Sequence, residues 1–241
     1  MAVSYMDFTS PNVQYFFDVN QNRSFTKDAR NYINALGIQQ LNSLGNTSLY
    51  DIYLSKSNVI EPHIHQNATE LVYCVKGGAV VSILNPFTAT VLNFNVTPGQ
   101  VTNVPQGWIH WEIATEDDTH LIAIFDAPVP LFIGISDFLR LVPRNVLAHT
   151  YCLDQALITQ ALAPIQSTQS TVTIGPPANC PNQRPAGYPQ QAQAQLRTQP
   201  HAQQPQPYPP QPYPPPPYEQ EAPRQRYPDY PGIGNGFQRN G

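Results

Sequence analysis

The sequence predicts an all-β domain, a closed barrel or double-sheet jelly roll with short helices at its edges, followed by a disordered Pro/Gln/Tyr-rich tail. Three features predict it. Short runs rich in Val, Ile, Leu, Tyr and Phe recur at even intervals between Ser48 and Phe125. Turn-forming residues separate these runs, and helical patterns are confined to the flanks. Proline is also segregated: nine of the 27 lie in residues 1–175 and the other 18 in residues 176–241.

Residues 1–40 read as an N-terminal arm with one short helix, capped by Thr26, running through Lys27-Asp28-Ala29-Arg30-Asn31-Tyr32 and stopped by Gly37. Residues 41–175 read as the barrel. Its strands are expected at Ser48–Leu54, Ser57–Ile60, Glu70–Lys76, Ala79–Leu84, Thr90–Asn95, Val101–Val104, His110–Ala114 and His120–Phe125. Asn85-Pro86, Thr97-Pro98-Gly99 and Glu116-Asp117-Asp118 mark turns, and Gly77-Gly78 reads as a hairpin turn that returns the chain into Ala79–Leu84. Ser136–Arg140 and Asp154–Leu162 carry helical patterns that close the domain. A segment of this length can bury a sizeable core. Residues 176–241 cannot bury enough apolar surface to offset their ordering entropy.

Composition excludes several functions. The net charge of −4 implies no nucleic-acid partner. No run is long and apolar enough for a membrane span. The start, Met1-Ala2-Val3-Ser4-Tyr5-Met6-Asp7, has no basic region and no apolar run, so no signal peptide is expected and the cytoplasm is the default location. Cys74, Cys152 and Cys180 are odd in number and widely spaced, which predicts a reducing compartment and no disulfide framework.

The chemistry concentrates in two segments. His63 and His65 are separated by one residue, so on a strand they share a face, and Glu70 follows after a gap long enough for a turn. Glu70 is expected to meet them from the neighbouring strand. His110 opens a strand after the Pro105-Gln106-Gly107 turn. Three imidazoles and one carboxylate at one point would hold a divalent first-row metal. Mn²⁺ and Fe²⁺ suit the donors, and geometry alone does not exclude Zn²⁺, Ni²⁺ or Cu²⁺. Glu112 shares the parity of His110 and is a candidate acid, or a paired strand carboxylate. Trp108 and Trp111 flank His110 and are candidate pocket walls or packing residues. Cys74 shares the parity of Glu70 and is expected to point into the barrel.

His63, His65, Glu70 and Gly77 match the first motif of the cupin superfamily, with Ser57 where the motif opens on glycine. Gly99, Pro105, Gly107 and His110 match the second, with Ala114 where the motif ends on asparagine. Over residues 41–163 the chain resembles germins and one domain of bacterial oxalate decarboxylases. The resemblance implies a jelly-roll barrel holding manganese on His63, His65, Glu70 and His110. It implies subunit clamping by the terminal helices, and so a homo-oligomer, with a small carboxylate or oxygen species as substrate. Two departures weaken oxalate chemistry. Ile60 stands where germin oxalate oxidases carry asparagine and the decarboxylases arginine, and Ala127-Pro128-Val129-Pro130-Leu131 replaces an acid-bearing lid.

The tail repeats Gln206-Pro207-Tyr208-Pro209-Pro210 as Gln211-Pro212-Tyr213-Pro214-Pro215, which favours extended polyproline II. It reads as a solvated tether, as an adhesive segment, or as a docking site for a protein partner at Pro215-Pro216-Pro217-Tyr218. A competing function follows: a structural protein of a surface layer or spore coat, with the barrel as assembly unit.

Overall fold

The computed structural model describes residues 7–166, 173–177 and 180. In chain order the strands are β1 (Arg23–Thr26), β2 (Tyr32–Leu36), β3 (Ser48–Leu54), β4 (Val59–Ile64), β5 (Glu70–Lys76), β6 (Ala79–Asn85), β7 (Thr90–Val96), β8 (Val101–Val104), β9 (His110–Ala114), β10 (Thr119–Phe125) and β11 (Ile133–Gly134). Helices α1 (Ile135–Leu141), α2 (Arg144–Tyr151) and α3 (Gln155–Gln166) follow, then β12 (Ile174–Gly175).

The strands form two antiparallel sheets, ordered β1-β2-β3-β10-β5-β8 and β11-β4-β9-β6-β7, with β12 on β4. Alternation explains how they close on one core. On β5, Glu70, Val72 and Cys74 are buried while Leu71 and Tyr73 are exposed. On β10, Thr119, Leu121, Ala123 and Phe125 are buried. These inward sets pack against Val81, Ile83 and Ala114 from the second sheet.

Five expectations need correction. The helix expected from Thr26 does not form, because the segment is a hairpin: β1 pairs with β2, and the Asp28 side chain accepts N–H groups of Arg30 and Asn31 in the turn between them. β1 and β2 extend the first sheet, so the barrel begins well before residue 41. Gly77-Gly78 is a corner between sheets, not a hairpin turn, since β5 pairs with β10 and β8 whereas β6 pairs with β7 and β9. The strand expected at Ser57–Ile60 starts at Val59 and runs on to Ile64, past a bulge between Ile60 and His63. Helix α2, not expected, starts after Pro143 and ends at Cys152, which adopts a left-handed conformation. The tail beyond residue 180 lies outside the described residues.

The corner at Gly77 tolerates no side chain. Its φ is +73°, and an added Cβ would lie 2.7 Å from Thr119 Oγ1 and 2.8 Å from Thr119 Cα. Gly77→Ala is expected to destabilise the barrel by about 1–3 kcal/mol, read as a lowered Tm.

Candidate metal centre

The four candidate ligands come from both sheets. His63 on β4 pairs directly with His110 on β9 in the second sheet. His65 lies one residue past β4. Glu70 opens β5 in the first sheet, so it meets the histidines across the barrel interior and not, as expected, from an adjacent strand. All four side chains are buried, and one ligand atom from each lies within 4.8 Å of every other.

Hydrogen bonds orient the rings. His63 Nδ1 lies 2.7 Å from the Glu61 carbonyl oxygen, His65 Nδ1 2.7 Å from that of Leu131, and His110 Nδ1 2.9 Å from that of Trp108. A carbonyl only accepts, so each Nδ1 carries hydrogen and donates. Each Nε2 then faces the centre: those of His63 and His65 are 3.2 Å apart, and His110 Nε2 lies 2.7 Å from Glu70 Oε2. Three imidazoles held in one tautomer by backbone oxygens, plus one carboxylate, are the arrangement that a bound metal requires. The donor set therefore fits a divalent first-row ion, with His63, His65, Glu70 and His110 as the residues that would hold it.

Electrostatics agree. Burial opposes the Glu70 carboxylate, yet hydrogen bonds and charge from His110 and His65 hold it well below the usual carboxylate range. Burial likewise opposes an imidazolium at His110, but the hydrogen bond and charge of Glu70 outweigh it and raise His110 to about 9. His63 is pushed down, by burial and then by His110. The metal-free chain thus holds a buried Glu70–His110 ion pair where a cation would sit.

The surrounding loops are tied to the ligands. Asn67 donates to the Val129 carbonyl and accepts from the Leu131 N–H, fixing the Ala127–Leu131 loop whose last carbonyl orients His65. The buried Glu61 carboxylate accepts backbone N–H groups from Ser136 and Thr173, at 3.0 and 2.8 Å. One residue thereby joins β4, α1 and the segment that leads into β12.

A cavity of about 260 Å³ opens beside His63, His65 and Glu70. Glu112 lines it, as its parity suggested. Its Oε1 is buried without a hydrogen-bond partner and lies 4.0 Å from His110 Nε2. Burial, then the Glu70 charge, pushes Glu112 up to about 8, with His110 acting the other way. The other suggested pocket residues do not line the cavity. Trp111 is on the opposite face of β9, and Trp108 packs against the core and near the Phe87 ring. Cys74 is further along β5, its Sγ 3.6 Å from the Lys76 carbonyl oxygen, and burial raises its thiol, which does not suit a nucleophile. The walls are instead Phe25, Ile33, Tyr50, Ile52, Ile60 and Phe132. Strand parity could have pointed to Tyr50 and Ile52; nothing local marked Phe25 or Phe132, which arrive from a hairpin and a loop.

Comparison with known proteins agrees with this fold. A family model described as cupin matches residues 19–158. An oxalate oxidase structure in complex with the substrate analogue glycolate superposes with a TM-score of 0.60 at 16% identity, covering 68% of this chain and 87% of that one. A Bacillus subtilis oxalate decarboxylase superposes at 0.58 and 18%, covering 66% and 40%. Among curated sequences, a glycinin of Glycine max is 27% identical over 53% of this chain and 23% of its own length, and a legumin type B of Vicia faba 28% over 45% and 23%. The chain thus spans about a quarter of the length of these seed globulins.

Proposed function

This chain belongs to the cupin family, and from that premise we propose that it is a metal-dependent enzyme of the germin-like type, with manganese as its ion and a small oxygen-rich molecule as its substrate. One observation carries the reading: the three Nε2 atoms and the Glu70 carboxylate share one buried point beside a cavity, with every Nδ1 already committed to a carbonyl. A bound divalent ion would supply Lewis acidity or a one-electron relay there. The chain's own residues supply the rest. His63, His65, Glu70 and His110 fix the position of the ion. Glu112 presents an unpaired oxygen to whatever enters the cavity. Phe25 and Phe132 on its walls keep bulk water away from the reacting groups.

Protein produced in manganese-supplemented medium is expected to carry about one equivalent of divalent metal per chain, measured by elemental analysis, and to show turnover that chelation removes. Metal-free protein from such medium would defeat the reading. Little carbon dioxide or peroxide is expected from oxalate, because Ile60 offers no polar contact to that substrate.

The seed-globulin matches favour a second reading, in which the barrel is a storage or assembly unit. Exposed apolar side chains on the helices, among them Phe138, Leu141, Val146 and Leu157, support self-association in either case. The tail would then serve as tether or adhesive, in a spore coat or surface layer. Truncation after Gly175 separates the readings: an enzyme keeps its activity, whereas an assembly protein loses its incorporation. No helix among the described residues is long and apolar enough to cross a membrane.

A further inference from the structure

The composition of the cavity wall narrows what can enter it. Its aliphatic and aromatic lining comes from Phe25, Ile33, Tyr50, Ile52, Ile60 and Phe132. Among the described residues that line it there is no lysine or arginine, and the carboxyl groups are Glu70 and Glu112. A divalent ion held by Glu70 would leave one net positive charge. A dicarboxylate would more than cancel that charge, beside Glu112, within apolar walls that offer no compensating cation. A neutral guest meets no such cost, and its apolar body gains from the walls. The polar lining consists of His63, His65, Glu70 and Glu112, with Ser24 and Thr173, and Oε1 of Glu112 has no hydrogen-bond partner. A volume of about 260 Å³ is just below the range usual for drug-sized ligands, so it suits a single substituted ring and not a fused polycycle.

Resting on the metal-enzyme reading above, we propose that the cavity takes an uncharged, ring-sized molecule with adjacent hydroxyl groups, of the monocyclic diphenol class, and that Glu112 holds one of its hydroxyls. The hydroxyls lie against the candidate metal ligands and Glu112, and the ring lies against Phe25, Ile52, Ile60 and Phe132. Ile60 then favours the ring as well as failing the carboxylate.

The test uses the full chain with its metal content verified, titrated calorimetrically with 1,2-dihydroxybenzene and, separately, with oxalate. The diphenol is expected to bind at least about tenfold more tightly than oxalate. Glu112→Leu is expected to weaken the diphenol about tenfold by removing one charge-assisted or neutral hydrogen bond, and Glu112→Gln to restore most of that loss. Ile60→Trp, which fills the cavity from a wall residue outside the candidate ligand set, is expected to abolish diphenol binding with metal content unchanged. Should Ile60→Trp fail to fold, the Glu112 pair decides alone. Oxalate binding as tightly as the diphenol would overturn the proposal. So would diphenol binding that neither substitution alters, because chelation by exposed metal would then explain it. A chain that holds no metal defeats the enzyme reading separately. Diphenol binding to that metal-free chain, blocked by Ile60→Trp, would still uphold the ligand class, and no binding would overturn both.

Discussion

His63→Ala or Glu70→Gln is expected to weaken metal binding roughly a hundred- to a thousandfold, with loss of the ion during purification and of any metal-dependent turnover. The magnitude follows from sharing a structural-site binding energy of about 10–16 kcal/mol among four ligands, which assigns roughly 2.5–4 kcal/mol to each. Geometry makes the loss hard to repair. The ligand atoms lie within 4.8 Å of one another, and the three imidazoles are locked by Nδ1 hydrogen bonds to carbonyls on different segments. No ring can swing to replace a missing neighbour without giving up that bond. The Glu70 substitution has a second effect in the metal-free chain, since it removes the anion that pairs with His110 and leaves that imidazole unpaired in the barrel. Elemental analysis of dialysed protein and thermal melts with and without manganese measure the two effects. Full metal occupancy in Glu70→Gln would remove the carboxylate from the ligand set.

Metal uptake should depend steeply on pH, and the direction follows from the same ion pair. In the metal-free chain Glu70 raises His110 to about 9, so His110 Nε2 is protonated at neutral pH and a metal must displace that proton. Apparent affinity is expected to rise about tenfold per pH unit until about pH 9 and to level off above it, with one proton released per ion bound. Binding titrations from pH 6.5 to 9.5, in buffers of different ionisation enthalpy, measure both quantities. Affinity that does not change between pH 7 and 9 would mean that His110 is already neutral. Stability of the metal-free chain should run the other way. His110 gains its raised pKa on folding, so its contribution is fully present below the ordinary value of 6.5 and is lost as pH rises through about 9. Glu112 acts in the same direction, because the fold favours its neutral form and is penalised as pH climbs from the ordinary 4.5 through about 8. The Tm of the metal-free protein is therefore expected to fall between pH 6.5 and 9, and metal should remove the part of that fall due to His110.

Much of this molecule was legible in its residues, for a physical reason. Strand periodicity and ligand chemistry are local properties. Alternation over Glu70–Lys76 and His110–Ala114 places Glu70 and His110 inward whatever the sheets do, and one intervening residue sends His63 and His65 to one side. The residues of the His63, His65, Glu70 and His110 cluster, most of the strands and the membership in a barrel family therefore stood in the sequence. In the arm, Thr26 and Gly37 imitate helix signals. Asp28 instead bonds backbone N–H groups of its own turn, and the hairpin gains pairing with β3 that no local pattern announces.

Only the tertiary structure decided which sheet each ligand belongs to. Gly77 turns a corner between sheets because Thr119 packs where a side chain would be, and that contact joins residues distant in the chain. The bulge between Ile60 and His63 rephases β4, so that both line the cavity despite an odd separation, while Glu61 is left to clasp Ser136 and Thr173. The cavity walls likewise assemble Phe25, Tyr50 and Phe132 from a hairpin, a central strand and a loop. Periodicity says which way a side chain faces. What it faces depends on which segments pack opposite, and that is set by burial across the whole barrel.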